Sequence, residues 1–231
     1  MKYTDLNVVI LAYSRPDTFE KVVRACEASL TKIKIVLDKP TNELIAHQQD
    51  KIIEIVNSLS IDHSIKRRKE NYGLVRSVLT TIEEELQDSD HIVLLEDDCV
   101  PKPEFFGFVS RSLENYKDDE RISTICGTVT KCRFNPWGWA TWRHKWEYEK
   151  MSIEEIIEIP GLDVELKEFL INNPIEDSIW SLSWLGYQYK NNCTSVFPEE
   201  NFIDNIGHNN SGVHSSEEGY TKWLFSQVKK N

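Results

Sequence analysis

Three adjacent carboxylates, Glu96, Asp97 and Asp98, follow directly on the aliphatic run Ile92 to Leu95 and precede Pro101 and Pro103. Carboxylates crowded in this way repel one another in a desolvated cleft, so a cation or a network of sugar hydroxyls is expected to compensate them. Hard oxygen ligands on one short turn suit Mn2+ or Mg2+ carried in by a diphosphate. The competing reading is a solvated acidic turn, and the apolar run before it and the Pro-x-Pro helix start after it weigh against that. A second acidic pair, Glu176 and Asp177, opens a helical stretch, where acids also serve the helix dipole. Trp137, Trp139 and Trp142 surround Gly138; tryptophan faces stack on sugar rings, and they also build ordinary cores. His208 and His214 lie in a polar segment rich in Gly and Asn.

The elements that would position these groups can be read from the apolar spacing. Ile92 to Leu95 is too short for a helix and reads as a strand covered on both faces. Its carboxyl end carries the acids, and in an open α/β sheet ligands bind at that end. Leu6 to Tyr13 is a first buried strand, broken at Ser14, Arg15, Pro16 and Asp17, where Asp17 and Glu20 predict a capping box. Phe19, Val22, Val23, Cys26 and Leu30 then recur at helical spacing. Ile33 to Leu37 is a second strand, and Asn42 caps a helix whose Ile45, Ile52 and Val56 share a face. His63 to Arg68 is a shorter, more exposed strand, followed through Gly73 by a helix with Val75, Val78, Leu79, Ile82 and Leu86 on its buried stripe. After the acids come a helix from about Glu104, a strand at Ile122 to Cys126, helix starts at Ser152 and Asp163, a helix with Trp180 and Trp184 on its apolar side, and a last strand at Thr194 to Phe197. The alternation of strand and helix predicts right-handed crossovers and an α/β fold with a mostly parallel sheet flanked by helices.

Length and composition bound the function. A chain of 231 residues supports one substantial core, so residues 1–231 are expected to form a single domain. Lys and Arg total 27 against 38 Asp and Glu, and the net charge of −11 disfavours nucleic acid or an anionic membrane as partner. Five cysteines without zinc-type spacing read as reduced, buried thiols, which predicts a cytoplasmic location. No run approaches the ~18 apolar residues of a membrane span, which leaves room only for peripheral membrane association.

In this order the motifs resemble those of the nucleotide-sugar-dependent glycosyltransferases of the GT-A fold, closest to bacterial sugar transferases related to the N-acetylglucosaminyltransferase I branch. The residues that carry the resemblance are Ala12 to Pro16 (AYSRP), Asp38, Asn71 to Leu74 (NYGL) with Arg76, Glu96 to Asp98, Gly138 to Arg143 (GWATWR), Ile175 to Asp177, and Asn205 to His214 (NIGHNNSGVH). The resemblance implies a Rossmann-like domain whose nucleotide-sugar half spans about residues 1–100 and whose acceptor half spans about 101–231. It implies Asp98 as ligand to Mn2+ or Mg2+, with His214 as a second metal or diphosphate contact and His208 as its rival. Tyr13, Arg15, Asp38, Arg76, Glu96 and Asp97 then hold the donor, with Asp38 a partner for a uracil N–H. Asp177 becomes the base that deprotonates the acceptor hydroxyl, and Glu176, Trp137 and Trp139 fall on the acceptor side. The implied activity is inverting transfer from a UDP-sugar, a GlcNAc-type donor first, to a glycan or lipid-linked saccharide in surface polysaccharide synthesis. Two other readings stay open: a sugar nucleotidyltransferase, although the loop after the first strand has no glycine, and a non-catalytic module that binds a nucleotide or glycan.

Overall fold

The apolar runs become the interior of a seven-stranded sheet in a computed structural model that describes residues 2–173 and 179–207, with Ser226. Its strands are β1 (Val8–Ala12), β2 (Lys32–Leu37), β3 (Asp62–Arg67), β4 (His91–Glu96), β6 (Ile122–Cys126), β7 (Trp139–Trp142) and β8 (Thr194–Val196), and a separate ribbon pairs β5 (Cys99–Pro101) with β9 (Ile203–Asn205). The helices are α1 (Pro16–Ser29), α2 (Glu43–Asn57), α3 (Gly73–Asp88), α4 (Pro103–Asn115), α5 (Ile153–Ile157), α6 (Val164–Asn172) and α7 (Trp180–Lys190). All five residues of β1 and the central four of β4 are buried, as strands covered by helices on both faces require.

Strand order is β3-β2-β1-β4-β7-β6-β8. The chain steps outward from β1 to β3 and then returns to the other side of β1, where Leu11 pairs with Glu96 in parallel register. In doubly wound sheets such a reversal, here between β1 and β4, is where a crevice at the strands' carboxyl ends binds ligands. The fold is therefore a mostly parallel α/β sheet flanked by helices. One strand, β7, runs against the others, antiparallel to both β4 and β6. One continuous apolar cluster runs from Leu6 through Ile203.

Local signals at the helix starts hold in three places and fail in one. Asn42 Oδ1 accepts from Ile45 N–H at 3.0 Å, Asp163 Oδ1 accepts from Leu166 N–H at 3.0 Å, and Ser152 with Glu155 forms a reciprocal capping box. The box expected from Asp17 and Glu20 does not form. Pro16 has the fixed φ that suits the first helical position, so α1 begins there and Asp17 falls inside the first turn. Arg15 becomes the N-cap residue without a capping hydrogen bond from its side chain, which leaves the guanidinium free for another task. The five cysteines are buried free thiols, and among the described residues no helix is long and apolar enough to cross a membrane.

Candidate active site

The loop after β1 and the turn after β4 meet at the crevice through charge. Arg15 Nη1 donates to Asp98 Oδ2 at 2.8 Å, and Nη2 forms an ion pair with Asp97 Oδ1. The other oxygen of Asp97 accepts from Tyr13 N–H at 3.3 Å, so that acid is held from two sides. Asp98 Oδ1 has the thiol of Cys99 at 3.4 Å, a weak donor. One guanidinium thus faces three carboxylates. The imbalance registers in proton affinity: burial, then the charges of Asp98 and Asp97, push Glu96 up to about 8. Burial also raises Asp97, to about 6, although Arg15 pulls the other way.

A second cluster forms across the ends of β1, β2 and β3. Asp38, 7% exposed, accepts from Tyr72 N–H at 2.8 and 2.9 Å, from Gly73 N–H at 2.8 Å and from Lys39 N–H at 2.9 Å. A carboxylate at the amino end of a helix satisfies orphan N–H groups and meets the positive end of the dipole. Both oxygens of Asp38 are therefore spent on docking α3 to β2, and in this arrangement they are turned to backbone rather than to a uracil ring. Gln49 Nε2 reinforces the corner by donating to the Asp38 carbonyl at 2.7 Å. Asn71 Nδ2 donates to Lys39 O at 2.6 Å and lies 3.4 Å from Tyr13 Oη, which in turn is 3.0 Å from Thr41 Oγ1. Arg76 stacks its guanidinium 3.7 Å from the centroid of the Tyr72 ring and is otherwise exposed, a cation–π contact that holds it at the edge of this shelf. Thr41 stands in none of the motifs, and Asn71 and Tyr72 enter only as part of NYGL; their place beside Tyr13 depends on three loops converging.

The acidic turn is clamped from the far side of the chain. Cys99, directly after Asp98, pairs with Asn205 in the β5–β9 ribbon, and Ile206 N–H donates to the Asp98 carbonyl at 2.9 Å. Ile203 anchors that ribbon in a seat made by Gly127 and Gly138, where a side chain on either glycine would collide with it; Gly138 also adopts φ +61°. Gly207 brings the backbone so close that a Cβ there would collide with the Asp98 carboxylate. No periodicity in the sequence announces this clamp, because it joins residues about a hundred positions apart.

The remaining candidates fall in two groups. Trp137 and Trp139 are 7% and 1% exposed, so the surface they would need for sugar stacking is taken by the core. Trp139 meets Phe134 edge-on at 5.2 Å and stacks on Trp180 at 5.6 Å. The physical reason is β7 itself: wedged between β4 and β6, it is covered on both faces, and all four of its residues are buried. Glu176, Asp177, His208 and His214 lie outside the described residues. Among the described residues no group of three or more His, Cys, Asp or Glu side chains converges as a self-sufficient metal site.

No protein-family model and no curated protein sequence matches the chain. Similar solved structures include a cytidylyltransferase from Leptospira borgpetersenii, 12% identical with a TM-score of 0.39, where the match covers 62% of each chain. They also include the glucosyl-3-phosphoglycerate synthase of M. tuberculosis, 13% identical over 84% of this chain and 70% of that one with a TM-score of 0.44. An active-site mutant of LgtC is 10% identical over 98% and 97% with a TM-score of 0.45. The chain thus spans less than two thirds of the cytidylyltransferase. With TM-scores below 0.5, these likenesses add no weight to a functional assignment.

Proposed function

We propose that the chain is a metal-dependent glycosyltransferase that takes a sugar from a nucleoside diphosphate sugar and passes it to a hydroxyl of a glycan or lipid-linked saccharide. The observation that carries this reading is the meeting of Arg15 with Asp97 and Asp98 at the β1–β4 reversal. A nucleoside laid along the strand ends would find the polar shelf of Tyr13, Thr41, Asn71 and Tyr72 on one side and the acids on the other. Burial with excess negative charge fits a hard divalent cation, Mn2+ or Mg2+, and Asp98 is the carboxylate placed to hold it. Among the described residues no group of three ligands converges, and phosphate oxygens of the donor would add to the coordination, as is usual for Mg2+ at phosphate sites. When bound, the ion would neutralise charge developing on the departing diphosphate.

The chain's own groups divide the remaining work. Glu96 and Asp97 are assigned to ribose and sugar hydroxyls, Arg15 and Arg76 to the donor's anionic part, and Asp38 to holding the corner that presents Tyr72. Asp177 is assigned as the base that takes the acceptor proton, which makes the transfer inverting, with Glu176 beside the acceptor and His214, or its rival His208, as a further contact to metal or diphosphate. A UDP-sugar of GlcNAc type and a role in surface polysaccharide synthesis on the cytoplasmic side complete the reading. Release of UDP from UDP-sugars in the presence of an acceptor tests it. Asp177→Asn is expected to lower turnover by about 10²-fold or more while leaving UDP affinity in place. Unchanged turnover, or a product of retained anomeric configuration, would remove the inverting assignment.

A further inference from the structure

We propose that Arg15 is an internal counterion that the divalent cation displaces, so that metal binding and the release of Arg15 toward the donor's diphosphate are a single event. This rests on the metal-dependent donor site proposed above and goes beyond it by naming what the cation competes with. Arg15 uses two different nitrogens on two different acids, Nη2 on Asp97 Oδ1 and Nη1 on Asp98 Oδ2 at 2.8 Å. Charge-assisted pairs of this kind are the strong ones. The acid assigned to the cation is therefore already half committed to a positive group.

The seat is also confined. The Arg15 side chain is 18% exposed, and a Cβ at Gly207 would collide with the Asp98 carboxylate and lie 3.2 Å from Arg15 Nη1. A divalent ion on Asp98 would thus sit beside a fixed positive charge in a poorly screened place. Arginine cannot relieve that by losing its proton, so relief has to come from movement of the side chain. The movement disturbs no helix cap, because Arg15 occupies the N-cap position of α1 without a side-chain capping bond. A diphosphate is the partner whose oxygens match the freed fork.

Mn2+ alone, without nucleotide, tests the exchange. Free Mn2+ is titrated by electron paramagnetic resonance against the wild-type chain, Arg15→Gln, Arg15→Lys and Asp98→Asn, and melting of each is followed in chelator and in Mn2+. Arg15→Gln is expected to bind Mn2+ about tenfold more tightly than wild type, the size of one partly screened charge–charge repulsion. It is also expected to melt lower in chelator and to be raised more by Mn2+. Arg15→Lys, which keeps the charge and the fold but loses the fork, falls between them, and Asp98→Asn loses the ion. Measurable Mn2+ binding that is equal or weaker in Arg15→Gln overturns the exchange and leaves the donor site standing. Absence of Mn2+ uptake by every variant overturns it too, and UDP binding measured separately then decides whether the donor-site reading survives.

Discussion

Arg15 Nη1 lies 2.8 Å from Asp98 Oδ2, joining the loop after β1 to the turn after β4 across the point where strand order reverses. Residues 83 positions apart in sequence are thereby neighbours at the strand ends where the sheet's topology reverses. The consequence for function is that the cation balance of the acidic turn is set by a side chain from another loop, and every reading of the site depends on what replaces or joins that guanidinium.

The excess of acid over base predicts how the metal-free protein responds to pH. Glu96 sits at about 8 and Asp97 at about 6, both above the ordinary carboxylate range, with burial the chief cause in each. A raised folded-state value means that the folded chain holds the proton more tightly than the unfolded one. That stabilisation is fully present below about pH 4 and is lost as pH rises through 6 and then 8. Urea unfolding in chelator is therefore expected to show stability falling between pH 5 and 8, by up to about 1.4 kcal/mol per pH unit for each proton released. Glu96→Gln should flatten the upper part of that fall. A profile for the wild-type chain that is level or rising over this range would contradict the burial of unbalanced acid.

Asp38 offers a prediction about position rather than contact. Its carboxylate accepts from the backbone N–H groups of Lys39, Tyr72 and Gly73. Asp38→Ala leaves those buried donors without an acceptor and is expected to cost about 1–3 kcal/mol of stability, measured by denaturant unfolding. Asp38→Asn, which keeps one acceptor oxygen, should cost less. If Asp38 instead served only a ligand, both variants would unfold like the wild type.

Much of this architecture was legible in the sequence, and what was not has a common cause. β1, β2, β4 and β6 follow from short aliphatic runs, and α2, α5 and α6 from Asn42, Ser152 and Asp163 at their starts. The acids were legible as a strand-end cluster because Ile92 to Leu95 announces its strand. The pairing of Arg15 with them was not, since hydrophobic periodicity carries no information about which loops meet. The same limit hid the docking role of Asp38, which depends on where α3 begins, and the reversed direction of β7, which depends on its neighbours. A cluster of tryptophans reads equally well as surface or core, and only the strand wedged between β4 and β6 decides for the core.

Trp139 turns that last point into a measurement. Fully enclosed against Phe134, Trp146 and Trp180, it should behave as a core residue. Trp139→Ala is expected to cost about 3–5 kcal/mol of stability. A variant that unfolds like the wild type but binds acceptor poorly would restore the sugar-stacking role.

Thermal unfolding decides whether the β1–β4 strand ends bind a nucleoside diphosphate together with a divalent cation. The wild-type chain and Asp98→Ala would be melted with UDP, GDP, CMP and dTDP, each with and without Mn2+. A ligand at about a hundred times its dissociation constant adds ~2.7 kcal/mol, a rise of roughly 5 to 10 °C for a chain of this size. That rise is expected for UDP with Mn2+ in the wild type, and its loss in Asp98→Ala. No rise with any nucleotide in the presence of Mn2+, or a rise that survives Asp98→Ala, would contradict it.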